Sequence, residues 1–269
     1  MKRSDRPLIF GIVNITSDSF SDGGRYLNTE SAVIHARKLL ADGADFLDVG
    51  AAASNPAAEH VPPTEEIRRL APLLASGIEP DRLSIDTFAP ETQRWALAQG
   101  VGWLNDIQGF PDASIYLALA TSQAKLIVMH NVTRRGVAQR VETDAGAIFD
   151  ILFTYFDQRL DALDRAGIHR DRIILDPGMG YFLGLDPEVS LTVLRSLHRL
   201  KERYNLPVMI SASRKSFVRK LAGVGVENAG PATLAAELFA AARGADMLRT
   251  HDVAALTQAL DVWHSLNRD

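Results

Sequence analysis

Along most of this chain, short apolar runs alternate with stretches of helical period. The runs read LIFGIVN from Leu8, DFLDVG from Asp45, RLSIDT from Arg82, VGWLNDI from Val101, KLIVMH from Lys125, RIILD from Arg172, PVMISAS from Pro207 and MLRTH from Met247. Each has strand length and runs out into polar residues, which predicts a buried strand that delivers a polar group at its end. Between the runs, Ile148, Leu152, Tyr155, Phe156, Leu160 and Leu163 form one apolar stripe, and Val253, Leu256, Leu260 and Trp263 another. Such stripes belong to helices lying against a sheet. Pro90 and Pro231 stand where helices should begin. The related tetrads DGAD (Asp42 to Asp45) and RGAD (Arg243 to Asp246) stand where a helix gives way to a strand. Eight strand-then-helix units predict an α/β protein folded as a single TIM-type (β/α)8 barrel over residues 1–269, because helical crossovers make the strands parallel and closure removes both sheet edges. A doubly wound open sheet is the alternative.

Composition narrows the possible partners. The 269 residues are 46% hydrophobic, enough for a large core, and the formal net charge of −4 offers no general basic field to attract nucleic acid or an anionic membrane. Small molecules are therefore the expected partners, and any anion must be held by a few placed groups. The chain has no cysteine, which removes disulfides, thiolate metal sites and a cysteine nucleophile together and suits a cytoplasmic location. The N-terminal Met1 to Arg6 is polar, and the apolar run Leu8 to Val13 is too short for a signal segment or a membrane span.

In such a barrel the C-terminal strand ends carry the site. In chain order they present Asn14, Asp48, Asp86 with Thr87, Asn105 with Asp106, His130, Asp176, then Ser213 to Ser216, and finally Arg249 and His251. Asp176 is the clearest case, since Ile173 to Leu175 lead into it and Pro177 and Gly178 end the strand. Acids and amides come from the first six strands, whereas Arg214, Lys215, Arg249 and His251 follow the last two, where barrels often bind phosphate. The rim suits a polar heterocycle beside an anion. Asp106, Thr87 and Ser84 read as caps or turn closers, and Asp48 is left open between a structural and a functional role. The seven histidines show no HExxH spacing for a catalytic zinc, and Ser213 and Ser216 beside Lys215 are a poor signal for a nucleophile.

These residues carry a resemblance. GIVNITSDSFSDGG (Gly11 to Gly24), SIDT (Ser84 to Thr87), LNDI (Leu104 to Ile107), VMH (Val128 to His130), LDPGMG (Leu175 to Gly180), SRKS (Ser213 to Ser216) and RTHD (Arg249 to Asp252) resemble dihydropteroate synthases in order and spacing. The resemblance implies a barrel that joins (7,8-dihydropterin-6-yl)methyl diphosphate to 4-aminobenzoate, releasing pyrophosphate by a displacement with strong dissociative character. It assigns the pterin to Asp86, Asn105, Met129, Asp176 and Lys215, with Asp86 and Lys215 catalytic. It assigns the diphosphate to Asn14, Arg249 and His251, with Mg2+ as cofactor and Asn14 among its ligands. It assigns the aminobenzoate to Phe20, Ser54, Pro56, Phe182 and Ser216. A homodimer is the family expectation. A pterin-dependent methyltransferase on the same barrel and a non-catalytic pterin or drug binder are the alternatives.

Two departures from the family pattern are informative. The usual second-loop signature GESTRPG is here Ala51 to Ala57, with Ser54 for threonine and Asn55 for arginine. After the sixth strand, Tyr181 is followed by Phe182, Leu183 and Gly184 in place of the lysine-bearing continuation. Both changes fall where aminobenzoate should bind, a combination similar to the mobile, sulfonamide-insensitive branch of the family. The loops Thr16 to Asn28 and Ala51 to Pro63 are longer than usual connections and are expected to act as lids.

Overall fold

The computed structural model describes residues 6–15, 25–52, 60–133 and 137–267, with the backbone alone for 25–29. The eight apolar runs form the strands β1 (Leu8–Asn14), β2 (Phe46–Gly50), β3 (Leu83–Asp86), β4 (Trp103–Asp106), β5 (Lys125–Met129), β6 (Ile173–Asp176), β7 (Met209–Ile210) and β8 (Met247–Thr250). All pair in parallel, in the order β6-β5-β4-β3-β2-β1-β8-β7. A parallel bridge between Leu175 and Val208, with the Leu175 N–H donating to the Pro207 carbonyl at 2.9 Å, brings β6 back to β7. The sheet is thus a barrel rather than the open alternative.

Side-chain alternation sorts the strand residues into two separate apolar clusters, as a strand period of two requires. Ile9, Val13, Leu47, Val49, Leu83, Ile85, Leu104, Leu126, Val128, Leu175 and Leu248 face outward and pack under the helices. Phe10, Trp103, Ile127, Ile174, Met209 and Met247, with Leu8 and Phe46, fill the barrel interior at its N-terminal end. Phe10, Phe46 and Trp103 stack and cross there with ring centroids 4.8–5.1 Å apart. Two residues further along, the same inward face becomes polar: Phe46 gives way to Asp48, Trp103 to Asn105, Ile174 to Asp176, Met209 to Ser211 and Met247 to Arg249. An apolar plug therefore floors a polar well.

Helices α1 (Arg25–Ala41), α2 (Pro63–Leu74), α3 (Pro90–Ala98), α4 (Tyr116–Thr121), α5 (Ile148–Arg165), α6 (Pro187–Arg195), α7 (His198–Tyr204), α8 (Ser216–Ala222), α9 (Gly230–Ala242) and α10 (Val253–Leu266) surround it. The stripe expected on α5 is buried throughout, and that on α10 is buried except at Trp263, which remains 38% exposed in the last turns of the helix. The two GAD segments do the same work twice. Gly43 and Gly244 take φ of 109° and 88° after their helices, a conformation that L side chains rarely adopt. The aspartates that follow then accept a backbone N–H at the start of a neighbouring strand run: Asp45 from Ile9 at 2.9 Å and Asp246 from Val208 at 2.8 Å. No described helix is long and apolar enough to cross a membrane. The first expected lid, Thr16 to Asn28, is shorter than supposed, because α1 begins at Arg25; residues 16–24 and 53–59 of the two lids lie outside the described residues.

Candidate active site

Asp86 and Asp176 end β3 and β6, Asn105 is the last residue but one of β4, and with Met129, Ser211, Lys215, Phe182 and Arg249 they line one narrow cavity at the C-terminal end of the barrel. Local turns aim them. Asp176 accepts the Gly178 N–H at 2.7 Å, closing the Asp-Pro-Gly turn and leaving its second oxygen toward the cavity. A Cβ on Gly178 would lie 2.5 Å from the His130 carbonyl oxygen, so the turn fits only without one. A Cβ on Gly180 would stand 2.7 Å from the Ser216 hydroxyl, so the sixth loop rests directly on the seventh. Lys215 leads into α8 from a turn in which its N–H donates to the Ala212 carbonyl at 3.2 Å. Arg214 holds φ of 55° in that turn, with its N–H given to the Thr233 hydroxyl at 3.1 Å.

Asp48 is the hub beneath these groups. It is fully buried, and it accepts from the Ser84 hydroxyl at 2.5 Å, from Asn105 Nδ2 at 3.1 Å and from the Arg249 guanidinium, which also reaches Asp86 at 2.8 Å. A carboxylate taken out of water costs several kcal/mol, and paired, hydrogen-bonded donors of this kind offset that cost. The Asn105 amide is thereby oriented: its nitrogen faces Asp48, and its buried Oδ1 has no protein partner. The Ser211 hydroxyl in the same cavity is likewise buried and unpartnered. Buried polar atoms are almost always paired, so two orphans in one cavity are groups reserved for a ligand.

The electrostatics follow from burial. Burial pushes the Asp176 carboxyl up to about 6, against the opposing Gly178 N–H and the charges of Lys215 and Arg249. Asp86 is raised well above the usual carboxylate range, chiefly by burial, although Arg249 pulls the other way. Burial and then Arg249 bring Lys215 down to about 8, partly countered by Asp176 and Asp86. The Lys215 ammonium sits 4.7 Å from the centroid of the Phe182 ring, within cation–π range. Burial, then Arg214, Arg249 and Lys215, drive His251 down to about 3, so its ring is neutral.

Several rim residues turn out to be scaffolding, as expected for Asp106 and Thr87; Ser84, expected to cap a helix or close a turn, instead lies within β3 and donates to Asp48. Asp106 accepts the Gln108 N–H at 2.7 Å and the Gln93 amide at 2.8 Å, and Thr87 donates to buried Glu66 at 2.7 Å. His130 contacts the Pro177 carbonyl at 3.2 Å and meets Tyr155 edge-on. Arg249, assigned to the diphosphate, is shared between Asp48 and Asp86. Asn14 ends β1 exposed, in register with Gly50, which is in turn opposite Asp86. Of the expected aminobenzoate residues, Phe20, Ser54 and Pro56 lie outside the described residues, and Ser216 opens α8 beside Gly180. Phe182, assigned to the aminobenzoate, lies on the 3-10 turn Gly180–Phe182, 4% exposed, lines the cavity and packs with Ile107, Met129 and Ala138. Tyr181 is the half-buried member of the segment, with the Arg140 guanidinium 5.8 Å from its ring centroid. Sequence reasoning missed Ser211 and left Asp48 undecided; the signal was the strand period, since each lies two residues beyond an inward apolar residue.

The comparisons with known proteins agree with this geometry. Residues 10–251 match the family model described as pterin binding enzyme. The chain is 54% identical over 263 residues to dihydropteroate synthase type-2 of Escherichia coli, covering 96% of each chain. It superposes with a TM-score of 0.88 on the Xanthomonas albilineans dihydropteroate synthase solved with 4-aminobenzoic acid, at 37% identity, covering 98% of this chain and 94% of that one. It superposes at 0.84 on the same organism's enzyme in complex with 7,8-dihydropteroate, at 36% identity, covering 98% and 95%. The chain belongs to the pterin-binding enzyme family, among the dihydropteroate synthases.

Proposed function

We propose that this protein is a cytoplasmic dihydropteroate synthase that condenses (7,8-dihydropterin-6-yl)methyl diphosphate with 4-aminobenzoate, releasing pyrophosphate and forming 7,8-dihydropteroate. The observation that carries the reading is the single cavity in which a carboxylate, an unpartnered amide oxygen, an unpartnered hydroxyl and an ammonium converge. A pterin has such an edge of adjacent donors and acceptors. Asp176 accepts its guanidine-like pair, the Asn105 oxygen takes a further ring donor, and Lys215 donates to the ring oxygen and nitrogen. Asp86, backed by Arg249, lies toward the exocyclic carbon, where positive charge grows as the carbon–oxygen bond breaks, and a fixed anion there stabilises that charge. The aminobenzoate amine then attacks the carbon, and no protein nucleophile is required.

Asn14 and His251 hold the diphosphate, with Arg249 adding positive field from below. A magnesium ion here would take most of its ligands from phosphate oxygens and water. Such an ion, with the Asn14 amide oxygen as its protein ligand, would neutralise charge on the departing pyrophosphate. A homodimer is part of the reading: α6, α8 and α9 leave an apolar groove of about 490 Å³ lined by Leu191, Leu194, Phe217 and Phe239, with Leu221 56% exposed at its edge. Leu221→Lys is expected to shift the sedimenting species to the monomer.

Sulfonamide insensitivity completes the reading. Phe182, anchored against Met129 and Lys215, fixes the sixth loop, and Tyr181 forms its outer wall beside the aminobenzoate. The flat substrate carboxylate passes, and the tetrahedral sulfonyl with its projecting substituent collides. A thousandfold discrimination needs only about 4 kcal/mol. Deleting Phe182 with Leu183 is expected to restore inhibition by sulfamethoxazole while raising the KM for 4-aminobenzoate little; a variant still turning over and still resistant moves the filter to the Ser54–Asn55 loop. The function itself is tested by mass-spectrometric detection of dihydropteroate from the two substrates, with Lys215→Ala and Asp176→Asn as controls. Methyl transfer from methyltetrahydrofolate without condensation would favour the methyltransferase alternative.

A further inference from the structure

Ser213 lies in the turn that follows β7, two residues beyond Ser211, and is almost fully buried at 4% exposure. Its hydroxyl meets His251 twice. The Oγ accepts the His251 backbone N–H at 3.1 Å and lies 2.9 Å from Nδ1 of the same residue's ring. A serine hydroxyl has one proton to give and two lone pairs to accept with. One lone pair takes the backbone N–H, and a buried O–H must donate somewhere. Nδ1 is the acceptor at hand. When Nδ1 accepts, a neutral imidazole must carry its proton on Nε2. The ring is kept neutral by its burial and by the cations Arg214, Arg249 and Lys215 around it. A neutral ring in the opposite tautomer would present a lone pair to an incoming anion, so the choice of tautomer decides between attraction and repulsion.

We propose that Ser213 is a positioning residue that fixes His251 as the Nε2–H tautomer, so that an uncharged imidazole donates a hydrogen bond to the diphosphate of the substrate. The step rests on the reading of His251 as a diphosphate contact. It also gives the first serine of the SRKS segment a task distinct from that of Ser216. The two Ser213–His251 contacts tie the seventh strand end to the eighth, and the Arg214 N–H on Thr233 ties the same turn to α9.

Two measurements test the proposal separately. In the unsubstituted protein, two-bond nitrogen–proton correlation NMR of the His251 ring is expected to show the Nε2–H pattern, and in Ser213→Ala a mixture of tautomers. Calorimetric titration with inorganic pyrophosphate, magnesium present, is expected to show affinity falling about tenfold in Ser213→Ala, the size of one hydrogen bond to a charged group. Ser213→Thr, which keeps the hydroxyl, should restore both readings, and binding of a pterin analogue should persist in all three proteins. Unchanged pyrophosphate affinity in His251→Ala overturns the diphosphate reading on which the step rests. An Nδ1–H ring in the unsubstituted protein overturns the positioning role. Full affinity in Ser213→Ala, where His251→Ala has lost it, overturns that role equally.

Discussion

Replacing Asp48 by asparagine tests the hub under the pterin site, because Asp48 does not line the cavity and is joined to it through Asn105 and Arg249. In the native arrangement the carboxylate accepts three donors at once, from Ser84, Asn105 and Arg249. An amide of the same shape accepts with one atom only and places an N–H₂ against one of those donors. Turned toward Ser84, that N–H₂ meets a hydroxyl able to accept it, leaving one uncharged oxygen to hold both the Asn105 amide and Arg249; turned the other way, it forces Asn105 to flip and withdraw its acceptor oxygen from the cavity. Arg249 would keep Asp86 as its one remaining carboxylate partner among those two. Losing one charge-assisted hydrogen bond typically costs about 1.5–3 kcal/mol. The expected result for Asp48→Asn is thus a loss of roughly ten- to 150-fold in affinity for a pterin analogue, measured by calorimetry on enzyme without aminobenzoate. A double-mutant cycle with Asn105→Ala identifies the route: if Asp48 works largely through Asn105, the two losses are strongly sub-additive. Binding within twofold of the unsubstituted enzyme, in a folded protein, would refute the orienting role.

Three further outcomes follow from the same structure. The kcat/KM for the pterin substrate should be bell-shaped in pH: Asp176 and Asp86, both raised by burial, must be ionised, so activity falls as pH drops toward about 6, and Lys215 must be protonated, so it falls as pH rises through about 8. Lys215→Arg should move the alkaline limb upward, and an unmoved limb would detach it from Lys215. Glu237 in α9 is 1% exposed, with an unpartnered Oε1, and burial raises its pKa to about 8. Because the folded value lies above the unfolded one, its contribution to stability is complete below about pH 4.5 and is lost as pH rises to about 8. Glu237→Gln should therefore raise the melting temperature more at pH 8 than at pH 5, and an equal effect at both pH values would mean that the carboxyl titrates normally. Arg172 is 6% exposed and donates to the carbonyls of Ala124 and Leu119, clamping the start of β5. Arg172→Ala should destabilise the protein to urea by at least about 2 kcal/mol, since it strands buried acceptors.

The strands were legible in the sequence because each apolar run ends abruptly in a polar side chain, and the two GAD tetrads marked the helix-to-strand turns. Asp86, Asn105, Asp176 and Lys215 converge as their strand ends implied. The Asp48 hub was not legible: Arg249 is 201 residues away in sequence, and only closure of β8 onto β1 brings it within reach. The burial of Phe182 was not legible, because an aromatic after Tyr181 reads as a loop side chain, whereas the turn Gly180–Phe182 sets it under Lys215. The length of the first lid was overestimated because the four residues Arg25 to Asn28 are too few to show an apolar period, yet they form the first turn of α1.

The central claim is that one cavity, built on Asp176, Asn105, Lys215 and Asp86, carries out the condensation. Its most direct test is to follow pyrophosphate release from the dihydropterin diphosphate with and without 4-aminobenzoate, in the unsubstituted enzyme and in Asp176→Asn. The account predicts pyrophosphate and dihydropteroate in equal amounts when both substrates are present, and a loss of most turnover in the variant. Absence of aminobenzoate-dependent release from the unsubstituted enzyme, or near-normal turnover in Asp176→Asn, would contradict it.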